Sequence, residues 1–131
     1  MPQVVNAIIK NNKGDRVLIV KRKGGLHSGK WAFPGGIVEK GETKEQALKR
    51  EINEEVGLQI KKILRKIAEY NYPGEDNSPS FGESYLVEVF NEKIKINSEI
   101  SDFKWITLEE LENLDYVPGL DEEIMKALFS E

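Results

Sequence analysis

The chain has no cysteine, which excludes a disulfide framework, a zinc–thiolate site and a thiol nucleophile. It has no surplus of positive charge: the formal net charge is −4 and the pI is near 5.2. A general nucleic-acid binder normally carries a basic excess, so that class is disfavoured. A nucleotide substrate is still allowed, because local Lys and Arg side chains or metal ions can meet phosphates. There is no apolar run of about 18 residues of the kind that crosses a bilayer. The opening MPQVVNAIIKNNKGD holds a short apolar run without a basic flank, so no signal peptide is expected and the cytoplasm is the expected location. Internal repeats, linkers and low-complexity tracts are absent as well. With 131 residues, 39% hydrophobic and 32% charged, the chain reads as one soluble domain over residues 1–131.

What is present is a dense acidic stretch, GIVEKGETKEQALKREINEEVGL, from Gly36 to Leu58. Thr43 followed by Gln46 predicts a capping box, and Gly57 predicts a helix stop. On a helix between them, Glu51, Glu54 and Glu55 stand at i, i+3 and i+4 and share one face. Leu48, Ile52 and Val56 form an apolar stripe beside it. Like charges at i, i+4 repel by a few tenths of a kcal/mol, so a cation on this face would relieve the helix. Hard divalent ions with oxygen ligands are the natural candidates. Spacing alone leaves an equal alternative, a solvated charged face neighboured by Lys44, Lys49 and Arg50.

The whole stretch resembles the Nudix box of the Nudix (MutT-like) hydrolases. That pattern runs Gly, five residues, Glu, seven residues, Arg-Glu, an aliphatic, one residue, Glu-Glu, one residue, Gly, an aliphatic. Gly36, Glu42, Arg50, Glu51, Ile52, Glu54, Glu55, Gly57 and Leu58 fill all of its places. A chance match per window is on the order of 10⁻⁹ at average composition. The upstream Trp31-Ala32-Phe33-Pro34-Gly35 and the strand ending at Trp105 are also similar to the family. The resemblance implies an α/β/α sandwich with a mixed sheet, and hydrolysis of a nucleoside diphosphate linked to another moiety. It implies Mg²⁺ as cofactor, with Mn²⁺ as the other candidate. It also implies metal ligands at Gly36 (through its carbonyl), Glu51, Glu54 and Glu55, with Glu51 either a ligand or the base that activates water. Glu51, Glu54 and Arg50 are the catalytic candidates, with Arg50 orienting the glutamates by bidentate hydrogen bonds. Glu42 would hold its loop or join a further metal site.

Elsewhere, Val4–Lys10 and Arg16–Arg22 read as two strands of a hairpin across an Asn-Asn-Lys-Gly-Asp turn. Lys23–Lys30 is a glycine-rich loop on the substrate side, without the ending of a P-loop. His27 in this loop reads as a solvated residue. Trp31–Phe33 begins a short strand, Pro34-Gly35-Gly36 a turn, and Ile37 and Val38 a further strand. Gln59–Tyr72 reads as one long bent strand and Pro73–Gly82 as a turn-rich loop. Glu83–Phe90 alternates, with Tyr85, Val87 and Val89 on one face. Asp102–Ile106 is a last strand. Thr107 with Glu110 is a second capping box, opening a short helix. Asp121–Phe129 reads as an amphipathic helix with Ile124, Met125 and Leu128 inward. Together these elements predict an α/β (α+β) domain.

Substrate contacts are expected from Arg22 and Lys23 toward phosphates. One of Tyr70, Tyr72, Phe81 and Tyr85 is expected to stack on a base. Asp102 or Glu99 would meet a base edge or add a carboxylate. The tail from Glu92 resembles Nudix enzymes acting on nucleoside triphosphates. The leading expectation is therefore cleavage of a nucleoside or deoxynucleoside triphosphate to monophosphate and pyrophosphate. Pro73, fifteen residues past Leu58, keeps an ADP-ribose or nucleoside-diphosphate-sugar pyrophosphatase as the alternative. A catalytically silent nucleotide-sensing domain is the second alternative. A small-molecule nucleotide is the expected partner, neither nucleic acid nor a membrane is expected, and a homodimer is the expected assembly.

Overall fold

The computed structural model describes residues 3–25, 27–73 and 79–129, with the side chains of Tyr72, Pro73 and Pro79 outside that description. Among the described residues, seven strands form two sheets. The first sheet takes the order β4-β1-β6-β5, from Gly35–Ile37, Gln3–Ile9, Pro79–Val89 and Ile60–Pro73. The second takes the order β3-β2-β7, from Trp31–Ala32, Val17–Arg22 and Ile100–Ile106. β1 runs parallel to β6 and antiparallel to β4, so the first sheet is mixed. Helix α1, Lys44–Val56, packs against one core and helix α2, Leu120–Phe129, against the other. This is the expected sandwich.

The alternation of side chains explains why β1 and β2 look apolar throughout. Val5, Ala7, Ile9, Leu18 and Val20 join α1 in one core. Ile8, Val17 and Ile19 join Trp31, Phe33 and α2 in the other. Strands covered on both faces lose the polar half of their pattern. The same fact corrects the expected hairpin. The turn starts as one, with a Lys10–Val17 bridge and Asn11 N–H donating to Arg16 O at 3.0 Å. The strands then part, and each becomes a central strand of its own sheet.

Other expectations shift for equally local reasons. Pro34-Gly35-Gly36 does not simply turn: Gly35 and Gly36 lie in β4 and pair with Asn6 and Val5. A Cβ on Gly35 would fall 2.1 Å from the Val5 carbonyl oxygen, so glycine is needed for backbone approach. Within the expected Pro73–Gly82 loop, residues 74–78 lie outside the described residues, whereas Ser80, Phe81 and Gly82 already belong to β6. Their turn-like composition makes room for the Tyr70 ring, which a Cβ on Gly82 would meet at 2.5 Å. β5 does carry the expected irregularity, with three register shifts against β6. The capping box at Thr107 forms: Glu110 Oε1 accepts from the Thr107 N–H at 2.9 Å. The helix it opens is a 3₁₀ turn, Glu109–Asn113. On α2 the buried stripe is Leu120, Ile124 and Ala127, while Met125 is 50% exposed rather than inward. A stripe spaced by four and three passes Met125 by. Among the described residues no helix is long and apolar enough to cross a membrane.

One charge is embedded on the α1 side of the first sheet. Glu83 on β6 is buried, and its Oε1 lies 2.6 Å from Lys44 Nζ and accepts from the Tyr85 hydroxyl at 2.9 Å. Its Oε2 accepts from Lys66 at 3.3 Å. Burial alone would push this carboxyl up, but the bonds from Lys44, Tyr85 and Lys66 hold it below the usual range. A lowered carboxyl stabilises the fold above its unfolded value, and that contribution is lost as pH falls through the lower folded value. Glu83→Gln should therefore cost about 1–2 kcal/mol at neutral pH. The difference from wild type should shrink as pH drops below the ordinary carboxylate range, which denaturant unfolding across pH would read directly.

Candidate active site

Helix α1 begins and ends as its sequence dictates. The Thr43 hydroxyl accepts from Gln46 N–H at 3.1 Å, and Gln46 Oε1 accepts from Thr43 N–H at 2.9 Å. Gly57 closes the helix in the left-handed region at φ 71°. The rigid helix sets its three glutamates at three depths. Glu54 is exposed, with 52% of its side-chain surface open; Glu51 is half-buried; Glu55 is 2% exposed. The acidic face thus turns from solvent into the core within two turns.

Arg50 organises the outer part. Its Nε and Nη2 form a fork on Glu42, at 2.7 and 3.0 Å. Its Nη1 donates to Glu51 Oε1 at 2.7 Å and to Glu54 Oε2 at 3.4 Å. Nη2 also donates to the Ile37 carbonyl at 3.0 Å. The bidentate partner is therefore Glu42, which also accepts from the Glu39 N–H at 2.9 Å and so holds the loop into the helix. The bonds from Arg50 and from that N–H pull the Glu42 carboxyl down to about 2. Glu51 is pushed up, by burial first, against the lowering effect of Arg50. Gly36 lies directly against it: a Cβ there would sit 2.3 Å from Glu51 Cδ. Only glycine lets this backbone reach the carboxylate.

Glu55 has a separate environment. Its Oε2 accepts from Arg22 Nη1 at 2.6 Å, and its Oε1 from the Gly35 N–H at 3.0 Å. Arg22 Nη2 also donates to the carbonyls of Phe33 and Gly35, at 3.2 and 3.3 Å. Burial raises the Glu55 carboxyl, Arg22 opposes this, and nearby Glu99 adds to the rise. Arg22, expected at phosphates, here ties β2 to the box helix. The backbone N–H of Lys23, an exposed residue, donates to the Glu99 carbonyl at 2.9 Å, drawing Glu99 beside the site.

The donor set suits a hard divalent cation: three carboxylates stand on one helix, and the Gly36 backbone of β4 is pressed against Glu51 in a cradle that a Cβ would fill. Among the described residues no three acidic or histidine side chains converge as a ready metal cluster; Arg50 and Arg22 engage the box carboxylates.

Next to Arg22 opens a cavity of about 540 Å³. Phe33, Tyr70, Val117 and Pro118 supply apolar wall. Asn6 lies among them and donates through Nδ2 to the Tyr70 hydroxyl. His27 lines this cavity and is partly buried, which corrects the reading of a solvated loop residue. Of the four aromatic candidates, Tyr70 reaches the cavity. Tyr85 packs on the α1 core, and Phe81 sits in β6 outside the lining; the side chain of Tyr72 is outside the described residues. Asp102 is exposed on β7, where its Oδ1 accepts from the next N–H. The sequence reading missed Asn6, Phe33 and the C-terminal wall from Val117 to Lys126. A polar Asn inside a β-branched strand was the one available hint.

The NUDIX domain family model matches residues 1–128, and the chain belongs to that family. It is a hydrolase acting on phosphoric anhydride bonds; family members act on small-molecule nucleotides and generally use divalent metal ions. Among curated relatives, Nucleoside triphosphatase NudI of Escherichia coli O139:H28 is 29% identical over 123 residues, covering 86% of each chain. A MutT NUDIX hydrolase from Burkholderia pseudomallei superposes with a TM-score of 0.82 at 22% identity, covering 94% of this chain and 95% of that one. A C. elegans Ap4A hydrolase superposes with a TM-score of 0.78 at 21% identity, covering 96% and 94%. Those last two likenesses concern the fold.

The Arg22–Glu55 pair gives a direct test. Arg22→Met leaves a buried carboxylate with one N–H partner and should cost about 3 kcal/mol or more at neutral pH. The cost should fall in acid, where Glu55 takes up a proton. Combining it with Glu55→Gln should cost less than the sum of the singles, with a coupling of at least ~1 kcal/mol in a double-mutant unfolding cycle.

Proposed function

We propose that the chain is a metal-dependent pyrophosphohydrolase of nucleoside or deoxynucleoside triphosphates, releasing the monophosphate and pyrophosphate. The observation that carries this reading is the cavity of about 540 Å³ lined by Arg22, the residue that bonds to Glu55 of the box helix. It falls in the size range of small-molecule sites, which are apolar clefts with a few directed polar groups. Arg22 lines it and also touches Glu55, so a nucleoside seated there would have its phosphates near the acidic face. The likeness to a relative named as a nucleoside triphosphatase supports the same choice. The intact box supports an enzyme over a silent sensor.

In this reading the Gly36 carbonyl, Glu51 and Glu54 hold the divalent cation, Mg²⁺ or Mn²⁺, and Glu55 joins them in place of its bond to Arg22. The bound cation would supply charge neutralisation at phosphate oxygens and acidify water. Glu51 is either one of these ligands or, with its carboxyl raised by burial, the base that accepts the proton of the attacking water. Arg50 holds Glu51 in place from one side and anchors the loop through Glu42 from the other. Arg22 and Lys23 would meet phosphates, and Tyr70 would stack on the base. The same reading takes residues 1–131 as one cytoplasmic domain, assembled as a homodimer. A 14.9 kDa species at high concentration in sedimentation would remove the dimer.

A nucleotide panel with Mg²⁺, with and without chelator, tests the reaction. Turnover of triphosphates is expected; turnover of ADP-ribose alone would move the chain to the pyrophosphatase alternative. Glu54→Gln separates catalysis from folding. Loss of a ligand removes charge stabilisation worth several kcal/mol, and each 1.36 kcal/mol is tenfold. We expect kcat to fall by at least ~10³. Because Glu54 is exposed, metal-free stability should stay within about 0.5 kcal/mol of wild type. Full activity together with an unchanged Mg²⁺-dependent melting shift would take Glu54 out of the site.

A further inference from the structure

Two guanidiniums hold the box carboxylates, and they hold them differently. Arg50 grips Glu42 with a fork and shares its remaining donors among Glu51, Glu54 and the Ile37 carbonyl. Arg22 makes one ionic contact, from Nη1 to Glu55 Oε2 at 2.6 Å. Its Nη2 reaches two neutral carbonyls, those of Phe33 and Gly35, at 3.2 and 3.3 Å. Arg22 lines the cavity and Arg50 does not. The backbone beneath Arg22 is fixed. Its N–H donates to the Lys30 carbonyl at 3.0 Å, and its carbonyl accepts from the Gly29 N–H at 2.8 Å. The pairing of β2 with β7 shifts register between Lys21 and Arg22. A bulge of this kind re-aims a side chain, and here the side chain at the bulge is the one that reaches α1.

Glu55 needs a cation. It is 2% exposed, and a buried carboxylate stripped of its partner is strongly destabilising. One cation meets that need, and two on the same oxygen repel each other. Oε1 is already engaged by the Gly35 N–H, so a cation that reaches Glu55 meets Oε2, which Arg22 holds. A divalent ion brings twice the charge of a guanidinium and bonds the oxygen directly. We propose that Arg22 stands in for the divalent cation at Glu55 and is displaced when the cation binds, so that its guanidinium is released to the cavity, where the phosphates arrive, only in the metal-loaded protein. This rests on the metal-dependent reading above and adds an order of events to it. Before loading, Arg22 neutralises the buried carboxylate and keeps β2 tied to the box helix. On loading, the Arg22 side chain turns away while its backbone stays bonded to Gly29 and Lys30. A nucleotide that arrives without metal meets an arginine that is already paired. Because cation and guanidinium compete for one carboxylate, removing either strengthens the hold of the other.

Mn²⁺ titration followed by electron paramagnetic resonance reads the competition without turnover. Arg22→Met should bind Mn²⁺ at least ~5-fold more tightly than wild type, the lower end of ordinary coupling between sites. A merely structural Arg22 predicts equal or weaker binding in the variant, and either result overturns the proposal. Displacement itself is read on wild type by phenylglyoxal labelling of Arg22. The label is mapped by mass spectrometry against Arg16, which pairs with Glu110 outside the site. Saturating Mn²⁺, with no nucleotide present, should raise the relative labelling of Arg22 by at least ~5-fold. Tighter binding in the variant without that rise would mean that the two cations only repel across Glu55, which overturns displacement. If Arg22→Met does not fold, the labelling decides alone: a rise supports the proposal, and unchanged or reduced labelling overturns it. Neither measurement uses a substrate. If wild type binds Mn²⁺ but cleaves no triphosphate, the triphosphate reading fails and this proposal is still decided. If wild type binds no Mn²⁺, the metal-dependent reading and this proposal fail together.

Discussion

The Arg50 guanidinium is the contact on which the acidic face depends. It sits among Glu42, Glu51 and Glu54 and donates to the Ile37 carbonyl as well. Its planar fork can satisfy one carboxylate bidentately and still reach others, which a lysine ammonium cannot reproduce. Without such a cation the repulsion of the box glutamates would work against the helix. With it, the loop from Gly36 to Glu42 is tied to the helix that follows, and Glu51 is held against the Gly36 backbone. Orientation of the outer carboxylates and placement of the loop are one interaction.

Arg22 does the corresponding work at depth. Glu55 is buried because the box helix turns that side of its acidic face into the sandwich, and a buried carboxylate needs a partner. The partner comes from β2, in the second sheet, while the Gly35 N–H comes from β4, in the first. The two sheets are thus joined at one carboxylate, and the cavity opens beside the joint. Relatives of the same fold carry names with different substrates, from nucleoside triphosphates to Ap4A. The frame alone therefore does not choose the substrate.

Some mismatches between pattern and fold share one cause. The hairpin, the Pro34-Gly35-Gly36 turn and the residues around Gly82 were read by local rules, and in each case a neighbour distant in sequence prevailed. β1 left β2 because each strand has two faces to bury. Gly35 pairs with Asn6 because the backbone must pass close to Val5. Gly82 lies in a strand because the Tyr70 ring crosses it. Residues that locally signal a turn are also those that permit close approach, and sequence alone does not separate the two uses.

The sequence by itself determined the box helix, its caps, its apolar stripe and its carboxylates, since these depend on neighbours three or four residues apart along one chain. It also determined the family, through nine spaced positions. Only the tertiary structure decided which glutamate is exposed and which is buried, because depth depends on what packs over the helix. It alone brought Arg22 to Glu55 across 33 positions of sequence. It alone set Asn6, Phe33, Tyr70 and Glu123, from four separate segments, around one cavity. Such groupings arise from long-range strand pairing and the burial of two cores, and no short stretch of sequence encodes them.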